Sequence, residues 1–342
     1  MNVEDFDFYL PKEQIAQHPC DKRDESRLLV LHKNTGKIEH RHFKNIVEYL
    51  KPGDVLVRNN SRVIPARLKG VKVPTGAIVE LLILRQEPND ICECLCGNAK
   101  AIKLGTVINC GDLIEATCIE VQDEGIRRFK MKYEGIFMEV LEKLGSMPLP
   151  PYIHEKLKDN DQYQTTYAKI NGSAACPTAG LHFTKELDQK ILDMGVQIEE
   201  ITLHVGLGTF KPVKEKKIED HNMHYEYYSM DQETADHLNQ AKAEGRRIIA
   251  VGTTSTRTLE TIMQKYGKFK ACSGETNIFI YPPYEFKGID CQITNFHLPK
   301  STLIMMISAF ATREMILNAY DVAVKEGYRF FSFGDSMFIT ND

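Results

Sequence analysis

Four hydroxyl side chains and an arginine stand together in Gly252-Thr253-Thr254-Ser255-Thr256-Arg257, directly after the apolar run Ile248 to Val251. A buried strand feeding a helix here would set free backbone N–H groups beside those hydroxyls, where α/β sheets bind their ligands. Such a set suits a carboxylate or the hydroxyls of a sugar, and Arg257 can grip a carboxylate through two N–H groups. The plainer reading of the same residues is a hydroxyl-rich helix cap followed by a surface arginine. A second candidate is Leu203-His204-Val205-Gly206-Leu207-Gly208-Thr209-Phe210, a strand running into a Gly-x-Gly loop. Glycines let backbone approach a ligand closely, but the third glycine of a dinucleotide fingerprint is absent. Pro177-Thr178-Ala179-Gly180-Leu181-His182-Phe183 is another small-residue loop, ending in a histidine and an aromatic ring. His221-Asn222-Met223-His224-Tyr225-Glu226 gathers two imidazoles and a carboxylate. Helical zinc sites space their histidines i, i+4 with Glu between, which this segment does not, so proton transfer near neutral pH is the better functional reading. Its plainer alternative is a solvated loop. Asn295-Phe296-His297 adds one more imidazole ahead of Pro299. Cys92, Cys94 and Cys96 alternate along one strand, which fits small side chains filling a barrel interior rather than zinc ligands.

These residues need a scaffold. Leu28 to Leu31 and Asp54 to Arg58 read as strands, the second after the turn Lys51-Pro52-Gly53. Strand-like runs then recur at Ile78 to Leu84, Ile91 to Cys96, Leu113 to Val121 and Arg127 to Tyr133, with one helical stretch at Ile136 to Leu144. That rhythm predicts a small β-barrel. After the stiff Pro148, Pro150 and Pro151, helices and strands alternate, which predicts an α/β layer. Thr184 caps a helix ended by Gly195, Val196 to Val205 is a strand, and Ser229 with Gln232 resembles a capping box. Ser301-Thr302 opens another helix, Met315 to Lys325 is a further one, and Tyr328 to Ser332 is a strand. The expected architecture is a mixed α/β main domain, residues 1–65 and 147–342, carrying an inserted small antiparallel β-barrel domain, residues 66–146.

Composition narrows the function classes. The chain has 342 residues, 42% hydrophobic and 26% charged, with 43 Lys+Arg against 47 Asp+Glu. This excludes disordered and supercharged classes, and the length suits two domains at roughly 100–200 residues each. No apolar run reaches the ~20 residues of a membrane helix, and the acidic N-terminus does not read as a secretion signal. Nine scattered Cys fit free thiols in a reducing compartment. A net charge of −4 leaves nucleic acid to local patches: Arg62, Arg67, Lys69 and Lys72; Arg127, Arg128, Lys130 and Lys132; Lys211, Lys214, Lys216 and Lys217. Three function classes fit these residues: an enzyme acting on a nucleoside-like ligand, a metal-dependent hydrolase using His221, His224 and Glu226, and a non-catalytic RNA-binding protein.

The composite of motifs resembles one family. Asp5-Phe6-Asp7-Phe8-Tyr9-Leu10-Pro11, Asn59-Asn60-Ser61-Arg62-Val63-Ile64-Pro65-Ala66-Arg67-Leu68, Pro177 to Thr184, Leu203 to Phe210, His221 to Glu226, Gly252 to Glu260, Thr294 to Leu303 and Tyr328 to Met337 are all similar to the S-adenosylmethionine:tRNA ribosyltransferase-isomerase family. The likeness spans about residue 4 to 339, with Cys176 in place of alanine, Ser61 in place of threonine and Pro282-Pro283 in place of Pro-Gly. It implies a cytoplasmic, monomeric enzyme of queuosine biosynthesis with no cofactor and no metal, in which S-adenosylmethionine is consumed as a substrate. Its partner is a tRNA anticodon stem-loop carrying 7-aminomethyl-7-deazaguanine at the wobble position, and its products are epoxyqueuosine-tRNA, adenine and methionine. That chemistry needs proton acceptors and donors near neutral pH. His224 and Glu226 are the expected pair, with His221 and His297 as further catalytic candidates. Expected substrate-binding residues are Asn60, Arg62, His182, Phe183 (stacking on a purine), His204, Gly206, Gly208, Thr209, Thr253, Thr254, Ser255 and Arg257.

Overall fold

The computed structural model describes residues 1–155, 157–206, 213 and 215–341. The chain opens with β1 (Arg27–His32), β2 (Lys37–His42), β3 (Val55–Asn59) and the short β4 (Ser61–Val63). It continues with β5 (Arg67–Val73), β6 (Ile78–Glu87), β7 (Ile91–Cys96), β8 (Val107–Cys110), β9 (Ile114–Val121), β10 (Ile126–Tyr133), helix α1 (Phe137–Leu144) and β11 (Ile170–Ser173). The remainder is α2 (Lys185–Asp193), β12 (Gln197–Leu203), β13 (Glu226–Met230), α3 (Gln232–Ala243), β14 (Ile248–Val251), α4 (Gly252–Tyr266), β15 (Cys272–Thr276), β16 (Cys291–Asn295), α5 (Thr302–Phe310), α6 (Arg313–Lys325) and β17 (Ser336–Thr340). Two compact units result: residues 1–61, 151–169 and 177–342, and residues 62–150 with 170–176.

The first unit is built on a nine-stranded sheet in the order β15-β13-β12-β3-β14-β16-β17-β1-β2. Its centre, β12, β3, β14 and β16, is parallel throughout. These strands are apolar on both faces, as a sheet covered on both sides requires: Val55 to Val57 and Ile248 to Val251 are all buried. One face packs Leu56, Ile249, Val251, Ile293 and Phe338 against Phe43, Phe183, Leu187 and Ile191. β13 and β17 run antiparallel to β12 and β16, respectively, and β1 runs parallel to β17. The consequence decides where chemistry can occur. Asn59, Leu203, Val251 and Asn295, which end the four parallel strands, share one edge of the sheet with Glu226 and Ser336, which begin β13 and β17.

Caps follow the local chemistry. The Thr184 hydroxyl accepts from Leu187 N–H at 3.1 Å, and the Thr312 hydroxyl from Met315 N–H at 3.2 Å. Thr184→Ala is expected to lower the unfolding free energy by about 1 kcal/mol in chemical denaturation; no change would contradict the cap. Two expectations are corrected. Ser229 lies inside β13, and α3 is capped by Asp231, whose carboxylate accepts from Thr234 N–H at 2.8 Å. Tyr328 to Ser332 is not a strand: Phe331 takes a left-handed φ of 72° and turns the chain, so the sheet strand begins at Ser336.

The second unit is a closed six-stranded antiparallel barrel, β10-β7-β6-β5-β8-β9. Cys92, Cys94 and Cys96 point inward, buried, with Cys110 and Cys118. Burial pushes the Cys92 and Cys96 thiols up to about 12, so they are protonated packing groups. Gly70 is required for closure, because a Cβ there would stand 2.6 Å from Ile108 Cγ2. Arg127 is turned into the barrel unit, donating to the carbonyls of Ile102, Gln122, Ile126 and Ala99.

Candidate active site

At the carboxyl edge of the first unit's sheet, Asn59 ties two strand ends together. Its Oδ1 accepts from Leu203 N–H at 3.0 Å and Ser61 N–H at 3.1 Å, and its Nδ2 donates to the Leu203 carbonyl at 2.8 Å. This places Ser61 Oγ 2.9 Å from His204 Nδ1. The His204 ring stacks on Tyr227, with centroids 5.6 Å apart, and burial lowers its pKa below the usual histidine range. Asn60 is held beside it: Oδ1 accepts from the Thr202 hydroxyl at 2.8 Å, and Nδ2 reaches Glu200 at 3.4 Å. Glu200 also pairs with Arg58, whose guanidinium lies 3.7 Å over the Tyr167 ring.

Glu226 and Arg257 form the centre of the edge. Both are nearly inaccessible, at 5% and 3% exposure. Glu226 Oε1 accepts from Gly206 N–H at 2.8 Å, and Oε2 is gripped by Arg257 Nη1. Arg257 reaches this position because α4 starts immediately after β14, with Gly252 at φ 85° making the turn. Its Nε and Nη2, like the buried Thr254 hydroxyl, have no hydrogen-bond partner among the described residues. Buried donors without partners are rare, and Thr254 and Arg257, three residues apart on α4, supply three of them. Thr253 is partly buried beside them. Ser255 is corrected as a ligand: it is fully buried, and its hydroxyl donates to the Val251 carbonyl at 2.8 Å. Thr256 likewise bonds back to the Gly252 carbonyl, at 3.3 Å.

The structure separates the histidines. Asn295 Nδ2 donates to the Phe331 carbonyl at 2.9 Å, which turns its Oδ1 to His182 Nε2 at 3.0 Å. His182 Nε2 therefore carries the hydrogen, and Nδ1 accepts from Ser26 Oγ at 2.7 Å. With both nitrogens engaged and burial pulling its pKa to about 4, His182 is a neutral internal link, not a substrate contact. His297 is also buried, bonded through Nε2 to Thr294 Oγ1 at 2.8 Å, with its pKa lowered to about 3. It cannot exchange protons near neutral pH. His221 pairs with Glu215 at 2.9 Å and meets Phe279 edge-on. His224 is exposed, two residues ahead of Glu226. Glu226, committed to Arg257 and Gly206, is an anchoring carboxylate rather than half of a proton-handling pair. Among the described residues no group of three or more His, Cys, Asp or Glu side chains is arranged to hold a metal.

Phe183 is 1% exposed and packed edge-to-face on Phe43, so it supports the core and is not available to stack on a purine. Gly208, Thr209, Lys211 and Lys214 lie outside the described residues. In the second unit Arg62, Lys69 and Lys132 are exposed with no ion pair among the described residues. Arg67 is paired with Glu80, and Arg128 with Glu87 and Glu120. No local signal in the sequence marks Ser61 or Tyr227 as a site residue. Strand alternation places Tyr227 on the face opposite Glu226, but its partner His204 is fixed by the pairing of β13 with β12, which no local pattern announces.

A family model described as queuosine biosynthesis protein matches residues 3–339. The crystal structure of S-adenosylmethionine tRNA ribosyltransferase from Thermotoga maritima is similar at 39% sequence identity and a TM-score of 0.57, covering 98% of this chain and 99% of that one. The chain therefore belongs to the queuosine biosynthesis family of S-adenosylmethionine tRNA ribosyltransferases.

Proposed function

We infer that the protein transfers and isomerises the ribosyl moiety of S-adenosylmethionine onto 7-aminomethyl-7-deazaguanine at the tRNA wobble position, giving epoxyqueuosine-tRNA and releasing adenine and methionine. The observation that supports this reading is three buried donors without partners among the described residues, Arg257 Nε and Nη2 and Thr254 Oγ1, in the first part of α4, which leaves the same sheet edge as Asn60, His204 and Gly206. Those donors suit the methionine carboxylate or the ribose hydroxyls, and Thr253 adds a further hydroxyl. Among the described residues a Cβ at Gly206 would meet only the Glu226 side chain, at 3.7 Å and 3.9 Å, which supports a close approach of the nucleoside to the backbone there. The wobble base is a loop nucleotide, and extruding it costs a few kcal/mol at most. Phosphate contacts fall to cations not already paired, of which Arg62, Lys69 and Lys132 are examples. The family membership supports the transferase class and the tRNA substrate.

Incubation with S-adenosylmethionine and tRNA carrying the aminomethyl precursor should release adenine and methionine in equal amounts, followed by liquid chromatography. Release that is the same with tRNA lacking the precursor would contradict the reading.

A further inference from the structure

The amine that must bond to a ribosyl carbon arrives as an ammonium at neutral pH, with no lone pair to offer. A neighbouring group has to take one proton before the carbon–nitrogen bond can form. The geometry points to His204 as that acceptor, an assignment that rests on the function proposed above. The N–H bond of the ammonium breaks, its electron pair stays on nitrogen as the attacking lone pair, and the proton passes to His204 Nε2.

Three of the other candidate histidines are engaged by their surroundings, and the fourth, His224, is exposed. His182 has both ring nitrogens bonded inside the protein, and His297 is buried against Thr294 and Tyr320. His221 carries a carboxylate partner in Glu215. His204 differs. It is partly buried, one nitrogen faces the Ser61 hydroxyl, and its ring plane is set by Tyr227. Nε2 has no partner among the described residues. Burial pushes its pKa down and so favours the neutral ring, and with the hydrogen on Nδ1 donated to Ser61 Oγ, Nε2 is left as the acceptor. Ser61 is then a positioning residue that holds the Nδ1 side of the ring, and Asn59 fixes Ser61 through its backbone N–H. The titratable and charged groups on the elements around His204 include Glu199 and Glu200 of β12, Arg58 of β3, Glu226, Tyr227 and Tyr228 of β13 and Arg257 of α4, with Arg58 paired to Glu200 and Arg257 to Glu226.

The test compares wild type, His204→Ala and His204→Gln on precursor-bearing tRNA, with KM for S-adenosylmethionine measured alongside kcat. His204→Ala should lose 10²- to 10⁴-fold in kcat with KM changed less than about threefold. Added imidazole should restore part of that kcat, and the deficit should narrow at pH 9.5, where the amine sheds its proton unaided. Ser61→Thr should retain more kcat than Ser61→Ala. His204→Gln, which keeps the side-chain bulk, stands in if the alanine variant does not fold. A kcat within threefold of wild type, or a loss confined to KM, overturns the assignment. A wild type that makes no product overturns the proposed function itself, a separate result.

Discussion

Arg257→Ala is expected to lower the unfolding free energy by about 3–5 kcal/mol, because it strands the Glu226 carboxylate in the interior without its cation. Glu226 is 5% exposed and keeps the Gly206 N–H as a donor in the variant. The double variant Arg257→Met, Glu226→Gln should be more stable than Arg257→Ala. It removes both charges together, and glutamine still accepts from Gly206. Chemical denaturation of the variants measures this. A double variant less stable than Arg257→Ala would show that the pair is not the buried unit described here. The same substitution should weaken S-adenosylmethionine binding by roughly 10- to 100-fold, the worth of a charged hydrogen-bond pair to a carboxylate. Equilibrium dialysis on folded Arg257→Ala giving wild-type affinity would remove Arg257 from the ligand site.

Acid should destabilise the protein well before its carboxylates titrate. His182 and His297 are held neutral, with folded pKa values of about 4 and about 3 against an ordinary 6.5. Unfolding frees both rings to take up a proton. Their contribution to stability is complete above pH 6.5 and is lost as the pH falls from 6.5 toward 4 and 3. Each pH unit in that window costs about 1.4 kcal/mol per histidine, or about 3 to 5 kcal/mol each over its full range. Denaturation midpoints measured between pH 7 and pH 4.5 should therefore fall more steeply in wild type than in His297→Gln, which cannot titrate. Equal slopes would mean that His297 is protonated in the folded state.

Much of this was legible in the chain. Periodic apolar runs with turn residues between them announced both the inserted barrel and the α/β alternation, and Thr184 announced its helix start through a local hydroxyl-to-backbone bond. The Gly252 to Arg257 segment was recognisable as a strand-to-helix turn rich in donors. What was not legible depends on pairing across the sheet. Ser255 and Thr254 are neighbours of similar chemistry, yet one bonds back to Val251 while the other has no partner among the described residues, a difference set by helix phase. His182, His204 and His297 look alike in a string of letters. Only Asn295 and Ser61, brought in from afar by folding, and the nearby Thr294 separate two structural imidazoles from one whose Nε2 has no partner among the described residues. The Tyr328 to Ser332 segment has strand composition, but Phe331 leaves extended geometry because its N–H bonds to Phe296 O at 3.0 Å and Asp335 draws the chain back onto Arg329 N–H at 2.8 Å.

The central claim is that this sheet edge moves a ribosyl group, not a methyl group, from S-adenosylmethionine to RNA. The direct measurement uses S-adenosylmethionine carrying ¹³C in the ribose, incubated with precursor-bearing tRNA, and mass spectrometry of the nucleosides after digestion. The account predicts that the ribose label appears in the modified wobble nucleoside, at the mass of epoxyqueuosine. Label left wholly in the small-molecule fraction, or transfer of the methyl carbon alone, would contradict it.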